Sequence, residues 1–144
     1  MNIASETAET EPFIELRGVR KVYRGRGEDF LAVSDVTFDV QRGELVAMVG
    51  PSGCGKTTVL KILAGLHSHE EGTVRIGSQT DSFDAARDIG MVFQQPLLLK
   101  WRRVIDNVLL PVEILGLPMA EARARADHLL EMVGLSGFAQ SYPY

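Results

Sequence analysis

The chain has 144 residues, of which 24% are charged and 45% are apolar, as in an ordinary globular protein. Its 19 acidic side chains outnumber its 15 basic ones, and the net charge of −4 disfavours a nucleic-acid partner. The longest apolar runs hold about five residues, whereas a membrane-spanning helix needs roughly 20, and no secretory signal is expected at the start. Cys54 is the single cysteine, which excludes an intramolecular disulfide and favours a reducing compartment.

The first part of the chain is predicted to be a tail followed by strands. Residues 1–12 carry almost no large apolar side chain, which predicts a disordered tail. Apolar segments at 13–16 and 36–40 predict two strands, and the basic stretch 17–27 predicts their connection. Residues 45–49 are apolar at every position, as expected of a strand covered on both faces of a parallel sheet.

A helix and two short strands are predicted next. The apolar spacing over 56–64 predicts a helix, which Gly65 ends. Residues 73–76 alternate as a short strand, and 89–93 form a second, mostly apolar one.

Beyond Pro96 the apolar periodicity is helical. Pro111 is expected to kink or divide the first apolar stripe, and Pro118 opens a second helix that Gly134 ends. The predicted apolar face of that second helix consists of Ala122, Ala126, Leu129, Leu130 and Val133.

A phosphate-binding motif follows the apolar strand. Gly50, Gly55, Lys56 and Thr57 match G-x-x-x-x-G-K-[ST], between a predicted strand and a predicted helix. Small residues let backbone N–H groups surround a triphosphate, the lysine reaches its β/γ-phosphates, and the threonine hydroxyl suits Mg²⁺. The alternative is a glycine-rich turn with an exposed lysine. The predicted ATP-binding residues here are Gly50, Ser52, Gly53, Cys54, Gly55, Lys56, Thr57 and Thr58. Cys54 is interpreted as a small filler, the alternative being a thiol that faces phosphate.

The sequence around this motif resembles a known family. GPSGCGKTTVLKILAGL and GMVFQQPLLLKWRRVIDNVLLPVEILG resemble the ATP-binding subunit of ABC importers, most closely the nitrate/sulfonate/taurine type, over about 13–144. The resemblance implies an α/β P-loop NTPase fold: an ABC-type nucleotide-binding domain with an antiparallel β subdomain and a partial helical subdomain, incomplete at the C-terminus. It divides the chain into the tail at 1–12, a nucleotide-binding core at 13–103, and the start of the helical subdomain at 104–144.

The resemblance also implies site residues outside the loop. Tyr23 matches the aromatic residue that stacks on adenine, and its alternative role is to cover the edge of the sheet. Gln94 matches the glutamine that senses Mg²⁺ and the γ-phosphate, so the implied metal residues are Thr57 and Gln94. The alternatives are a simple polar strand cap and the neighbouring Gln95.

One surface resembles the family's docking site for a membrane subunit. Residues 97–101 and the helix starting near Val104 match the region that receives a short coupling helix. Trp101 suits an interface anchor, and the alternative is a tryptophan packed inside the helical part. Lys100 stands where the family often has proline.

The family's catalytic motifs are not found. The sequence has no apolar strand ending in Asp-Glu and no switch histidine, so no catalytic residue is assigned. Residues 135–140 resemble the LSGGQ signature, but Phe138 replaces a glycine, and Tyr142-Pro143 matches a pair that precedes the true signature. The chain is therefore expected to be truncated before the signature. We expect it to be poorly soluble or partly unfolded alone, because 45–49 and 89–93 would expose apolar strands.

The implied function is coupling of ATP binding and hydrolysis to the import of a small anion such as nitrate, sulfonate or taurine. The implied cofactors are ATP and Mg²⁺. The implied partners are transmembrane permease subunits, a second copy of the chain and, indirectly, a solute-binding protein, at the cytoplasmic face of the membrane and without nucleic acid. One alternative is a truncated, non-catalytic nucleotide-binding module. Another P-loop enzyme, such as a small kinase, is disfavoured by the β-rich start and by Gln94.

Overall fold

The computed structural model describes residues 11–25, 27–77 and 83–144. The predicted tail at 1–12 lies outside the described residues except for Glu11 and Pro12. The chain divides into two compact units, one ending at Gly90 and the other beginning at Met91. The predicted boundary at 103/104 stays a prediction.

The first unit is built on an antiparallel sheet. Its strands are β1 (Ile14–Tyr23), β2 (Phe30–Val40) and β3 (Glu71–Ile76), in the order β2-β1-β3. Both neighbours of β1 run antiparallel to it, which confirms the antiparallel β subdomain.

Strand β1 is longer than predicted. The basic stretch expected to be a connection continues the strand to Tyr23, because its charges find partners across the sheet. Arg17 pairs with Asp39 of β2, and Arg20 pairs with Glu71 of β3 at 2.9 Å. Opposite charges on neighbouring strands stabilise their pairing. A strand rich in arginine and lysine can therefore pair with a strand on each side.

The core of the first unit lies between the sheet and helix α1 (Lys56–Leu63). Leu16 and Val19 of β1 are fully buried there. The remaining buried members are Val33, Val59 and Ile62. The predicted helix is confirmed, and Gly65 follows it in the left-handed region with φ +69°. A further short helix, α2, spans Ala85–Asp88.

The two predicted apolar strands at 45–49 and 89–93 are wrong as local structure, because neither segment is a strand. Leu45 is 96% exposed and Val49 is 93% exposed. A strand that is apolar on both faces forms only between hydrogen-bonding neighbours and under covering layers. Among the described residues, the strands pair only within β1, β2 and β3.

The second unit is helical. It contains α3 (Val104–Val108), α4 (Leu110–Leu115), α5 (Met119–Met132) and a short 3₁₀ helix at Ser136–Phe138. Pro111 lies in the first turn of α4, which confirms that it divides the stripe.

The core of this unit joins α3 to α5. Its buried members are Ile105, Leu109, Ala126 and Leu130. The predicted face of α5 is partly wrong, because Leu129 is 42% exposed and Val133 is 64% exposed. The packed stripe is narrower than predicted and follows the i, i+4 pair Ala126 and Leu130.

The longest helix is α5, with 14 residues. Within the described ranges, no helix combines the length and the apolar character needed to cross a membrane.

Candidate functional site

The predicted phosphate loop connects the exposed segment 45–49 to α1. Gly53 and Gly55 adopt φ values of +82° and +94°, in the left-handed region that other residues rarely enter. Helix α1 begins immediately afterwards at Lys56. The two glycines therefore turn the chain sharply into the first turn of the helix.

The loop packs closely against strand β2. A Cβ atom added at Gly55 would lie 2.5 Å from the carbonyl oxygen of Ala32 and 3.2 Å from Cγ2 of Val33. A Cβ atom at Gly50 would lie 2.8 Å from the sulfur of Cys54. Glycine is therefore required at Gly55 both by the backbone angle and by the space available.

The Lys56 side chain folds back over the loop. Its Nζ donates to the carbonyl oxygens of Gly50 at 2.7 Å and Pro51 at 2.6 Å, and lies 3.4 Å from the sulfur of Cys54. Among the described residues, carbonyl groups and no carboxylate hold the ammonium at the loop. This leaves its positive charge available to an anion at the same place.

The first turn of α1 adds hydrogen-bond donors. The first N–H groups of an α-helix have no partner within the helix, and the dipole makes this end positive. No acidic side chain lies in the first turn of α1 to offset that field. Ser52 and Thr57 are exposed and Thr58 is half-buried. Serine and threonine hydroxyls are therefore accessible beside these N–H donors.

An open cleft of about 440 Å³ adjoins the loop. Its walls come from three segments: residues 31–34 and 36 of β2, Met48 and Val49, and the loop with the start of α1. The cleft combines an apolar side with the polar loop. That composition suits a ligand with one apolar and one anionic part.

Tyr23 lies at the end of β1, opposite Phe30 of β2. Its half-buried ring meets the His67 ring edge-on at a centroid distance of 5.7 Å, and the Lys21 ammonium lies 5.5 Å from its centroid. Lys21 is itself buried and pairs with Glu70 at 2.9 Å. The hydrogen bonds from Lys21 and from the backbone N–H of Val22 lower the pKa of Glu70.

Gln94 belongs to the second unit and is exposed, as is Gln95. Trp101 is 74% exposed, so it is not the packed tryptophan of the alternative interpretation. The roles assigned to Gln94 and Trp101 stay predictions.

A further feature of the site is which of the described groups could hold a metal ion. Among the described residues, no group of three His, Cys, Asp or Glu side chains could hold a metal. The exposed hydroxyl of Thr57, at the start of α1, is a hard oxygen ligand of the kind Mg²⁺ accepts beside phosphates and water.

The sequence reasoning missed three participants. Ala32 contributes only its backbone, so no side-chain pattern marks it. His67 belongs to no motif, yet it is half-buried against Tyr23. Asn107 binds the turn before α3 through its side chain. The sequence indicates this only weakly, because an asparagine near a helix start often bonds to nearby backbone groups.

Comparison with known proteins gives a consistent family. A profile described as "ABC transporter" matches residues 33–143. The methionine import ATP-binding protein MetN 2 of Enterococcus faecalis is 36% identical, covering 90% of this chain and 40% of its own length. A sulfate/thiosulfate import ATP-binding protein of Mycolicibacterium paratuberculosis is 44% identical, with 87% and 35% covered.

A solved structure shows the same fold. The dimeric, post-hydrolysis structure of the ATP-binding cassette MJ0796 bound to ADP and Pi superposes with a TM-score of 0.76 at 32% identity, covering 90% of this chain and 61% of that one. The chain spans less than half of the length of the curated relatives that it matches. The profile match covers more than half of the chain and includes residues 50–58, part of the first unit and nearly all of the second. The chain therefore belongs to the ABC transporter family, through its ATP-binding domain.

Proposed function

We propose that this chain binds ATP at the loop 50–58 and, as a subunit of an ABC importer, couples that binding to transport. The observation that carries the proposal is the position of Lys56, whose ammonium bridges the carbonyls of Gly50 and Pro51 at the start of α1. A triphosphate arriving there would replace these neutral carbonyls with charged oxygens. Charge-assisted hydrogen bonds are roughly twice as strong as neutral ones, so the exchange favours binding.

The test is ATP affinity, measured by displacement of a fluorescent ATP analogue. Lys56→Ala is expected to weaken binding at least about tenfold, since it removes a charged hydrogen-bond donor. Lys61→Ala is the matched control, because Lys61 is a basic residue in the last turn of the same helix. Equal affinity in wild type and Lys56→Ala, or no binding by a folded wild-type chain, would contradict the proposal.

Tyr23 is proposed to stack on the adenine. Its ring is already oriented by His67 and by the Lys21–Glu70 ion pair, which lowers the entropy cost of ordering it on binding. Tyr23→Phe is expected to keep ATP affinity, whereas Tyr23→Ala loses about 1–3 kcal/mol of stacking. Equal ATP affinities of the two variants would show that Tyr23 does not stack on the adenine.

Thr57 is proposed to bind Mg²⁺ beside the phosphates, and the metal-binding role of Gln94 stays a prediction from the resemblance. When bound, the ion neutralises charge on the phosphate oxygens. Thr57→Ala is expected to reduce the gain in ATP affinity that Mg²⁺ gives, with affinity in EDTA unchanged. A gain equal to that of wild type would exclude the threonine hydroxyl as a ligand.

ATP hydrolysis is proposed to need groups that this sequence does not carry. The 144 residues contain no apolar strand ending in Asp-Glu to orient a water molecule. We therefore expect ATP binding with turnover at background level. A measured turnover that Lys56→Ala abolishes would overturn this part of the proposal and, with it, the alternative of a non-catalytic binding module.

The transport role is proposed from the exposed surface after Gln94. Leu97, Leu98 and Trp101 are 63%, 51% and 74% exposed, and such an apolar patch suits a helix of a permease subunit at the cytoplasmic face of the membrane. A second copy of the chain is proposed to complete the ATP sites, and the dimeric state of the similar cassette MJ0796 supports this.

The relatives named above import methionine or sulfate and thiosulfate, and their names lend no support to nitrate, sulfonate or taurine in particular. We propose a small solute delivered by a solute-binding protein. Uptake assays of the complete transporter with sulfate, methionine, nitrate and taurine would separate these choices.

A further inference from the structure

We infer that Asn107 is a positioning residue, whose side-chain amide shapes and stiffens the turn that presents Trp101. Its amide group lies beneath the turn formed by residues 99–103 and binds that turn's backbone at both ends. The inference rests on the proposed function in one respect: the turn is taken to present Trp101 to a membrane subunit.

The turn itself is a tight one. The N–H of Arg102 donates to the carbonyl oxygen of Leu99 at 3.0 Å, which leaves Lys100 and Trp101 as its two central residues. A single backbone hydrogen bond of this kind is weak at an exposed site. Trp101 is 74% exposed, so packing does not hold its side chain in place.

The side chain of Asn107 adds hydrogen bonds to the single backbone bond of the turn. Its Oδ1 accepts from the N–H of Leu99 at 2.7 Å. Its Nδ2 lies within hydrogen-bond distance of three carbonyl oxygens: Leu99 at 3.1 Å, Arg102 at 3.1 Å and Arg103 at 3.0 Å. One side chain therefore contacts backbone groups before and after Trp101.

Only an amide of this length combines these contacts. Asparagine carries an acceptor and a two-hydrogen donor on one planar group. Aspartate would keep the acceptor for Leu99 but would point a negative oxygen at three carbonyl oxygens. Alanine would lose all of the contacts. The two substitutions therefore separate the acceptor from the donors.

The base of the turn is anchored in the helical core. Asn107 lies on α3 between Ile105, which is 1% exposed, and Leu109, which is 5% exposed. Arg102 is also tied to α4 by two bonds to the carboxylate of Glu113, at 2.9 and 2.5 Å. The turn is thus joined to packed helices on both sides, while the indole remains free to meet a partner.

The chain offers a direct probe, because Trp101 is its single tryptophan. Steady-state anisotropy and acrylamide quenching report the motion and access of the indole, and hydrogen exchange of the Leu99 amide reports its bond to Asn107. In wild type we expect an accessible indole on an ordered turn, so that it moves only about its own side-chain bonds, and a protected Leu99 amide. In Asn107→Ala and Asn107→Asp we expect lower anisotropy and Leu99 exchange about tenfold faster or more.

Lys100→Ala is the matched control, since it alters the same turn without touching the amide network. It is expected to keep wild-type anisotropy and exchange. Far-UV circular dichroism should show unchanged helix content in all variants, which separates a loosened turn from unfolding. If both Asn107 variants lose helix, the wild-type Leu99 amide decides: slow exchange supports the inference and rapid exchange overturns it.

Two further outcomes contradict the inference. Asn107→Asp behaving like wild type would show that the three donor contacts do not hold the turn. Unchanged anisotropy and exchange in Asn107→Ala would show that the amide does not position it. ATP binding is measured in the same samples: its absence in wild type would refute the proposed function while leaving the Leu99 result valid.

Discussion

A Cβ atom on Gly55 would lie 2.5 Å from the carbonyl oxygen of Ala32, so the phosphate loop and strand β2 meet backbone to backbone. The loop is thus held from two directions, by the helix that follows it and by the antiparallel sheet beside it. The contact links the shape of the loop to the integrity of the sheet. It also explains why residues 31–34 share a cleft with the loop.

We expect Gly55→Ala to abolish ATP binding and to lower the free energy of unfolding by about 2–5 kcal/mol. The left-handed backbone costs roughly 1–2 kcal/mol, and the clash with Ala32 adds to it. Gly53→Ala is the matched control, since Gly53 has a similar φ of +82° but open space around it. Chemical denaturation and analogue binding provide the measurements, and equal losses for the two variants would contradict the packing argument.

Strand pairing between β1 and β3 depends on a second close approach. At Gly72, with φ +88°, an added Cβ would lie 2.4 Å from the carbonyl oxygen of Gly18. Gly72→Ala is therefore expected to cost about 2–5 kcal/mol of unfolding free energy. Gly43→Ala shares the positive φ, +80°, in open space, and should cost about 1–2 kcal/mol. A denaturant melt that ranks the two variants in the opposite order would refute this.

The Arg102–Glu113 pair is expected to make the stability of the second unit depend on pH in the acidic range. Hydrogen bonds from Arg102 lower the pKa of Glu113 below its ordinary value of 4.5. The folded state therefore binds this proton less readily than the unfolded state does. The stabilisation is complete above pH 4.5 and is lost as the pH falls through the lowered pKa.

Carbon-detected NMR titration of the Glu113 carboxyl would measure this shift. In Arg102→Gln the carboxyl should titrate closer to its ordinary value, because the charged donor is gone. Arg123→Ala is a suitable control, since it removes an exposed i, i+4 ion pair with Asp127 on α5. Identical Glu113 titration in wild type and Arg102→Gln would rule out the pair as the cause.

The core of the second unit is expected to depend on Ile105. This side chain is 1% exposed and packs with Leu109, Ala126 and Leu130. Ile105→Ala should cost about 2–5 kcal/mol of unfolding free energy through lost burial and a cavity. Leu129→Ala, at a position 42% exposed, should change it by less than about 1 kcal/mol. Equal effects would mean that α5 packs through a different face.

Local sequence signals predicted the elements that their own residues determine. Glycines at 65 and 134 end helices, with φ +69° and +73°, because the left-handed step is available to glycine without steric cost. Pro111 divides the helical stripe since it lacks an N–H to donate. The phosphate-loop motif is also recognisable from local sequence, because glycine, lysine and threonine each stand at the position where their chemistry is needed.

The predictions that were wrong required information from elsewhere in the fold. Residues 45–49 have the composition of a buried strand, but a strand needs neighbours that supply hydrogen bonds and cover. The basic stretch of β1 became a strand because its partners, Asp39 and Glu71, lie on other strands. Leu129 and Val133 follow the helical period yet remain exposed, since only the neighbouring helix decides how wide the packed face is.

The family, the phosphate-loop motif and the helix ends could be read from residue identity at fixed spacing, and the net negative charge from composition. The fold was needed to find the contacts of Gly55 with Ala32, of His67 with Tyr23, and of Asn107 with the turn that carries Trp101. Each of these contacts joins residues through backbone groups or ring edges whose meeting depends on packing. Such groups carry no pattern along the chain, which is why the structure was needed to find them.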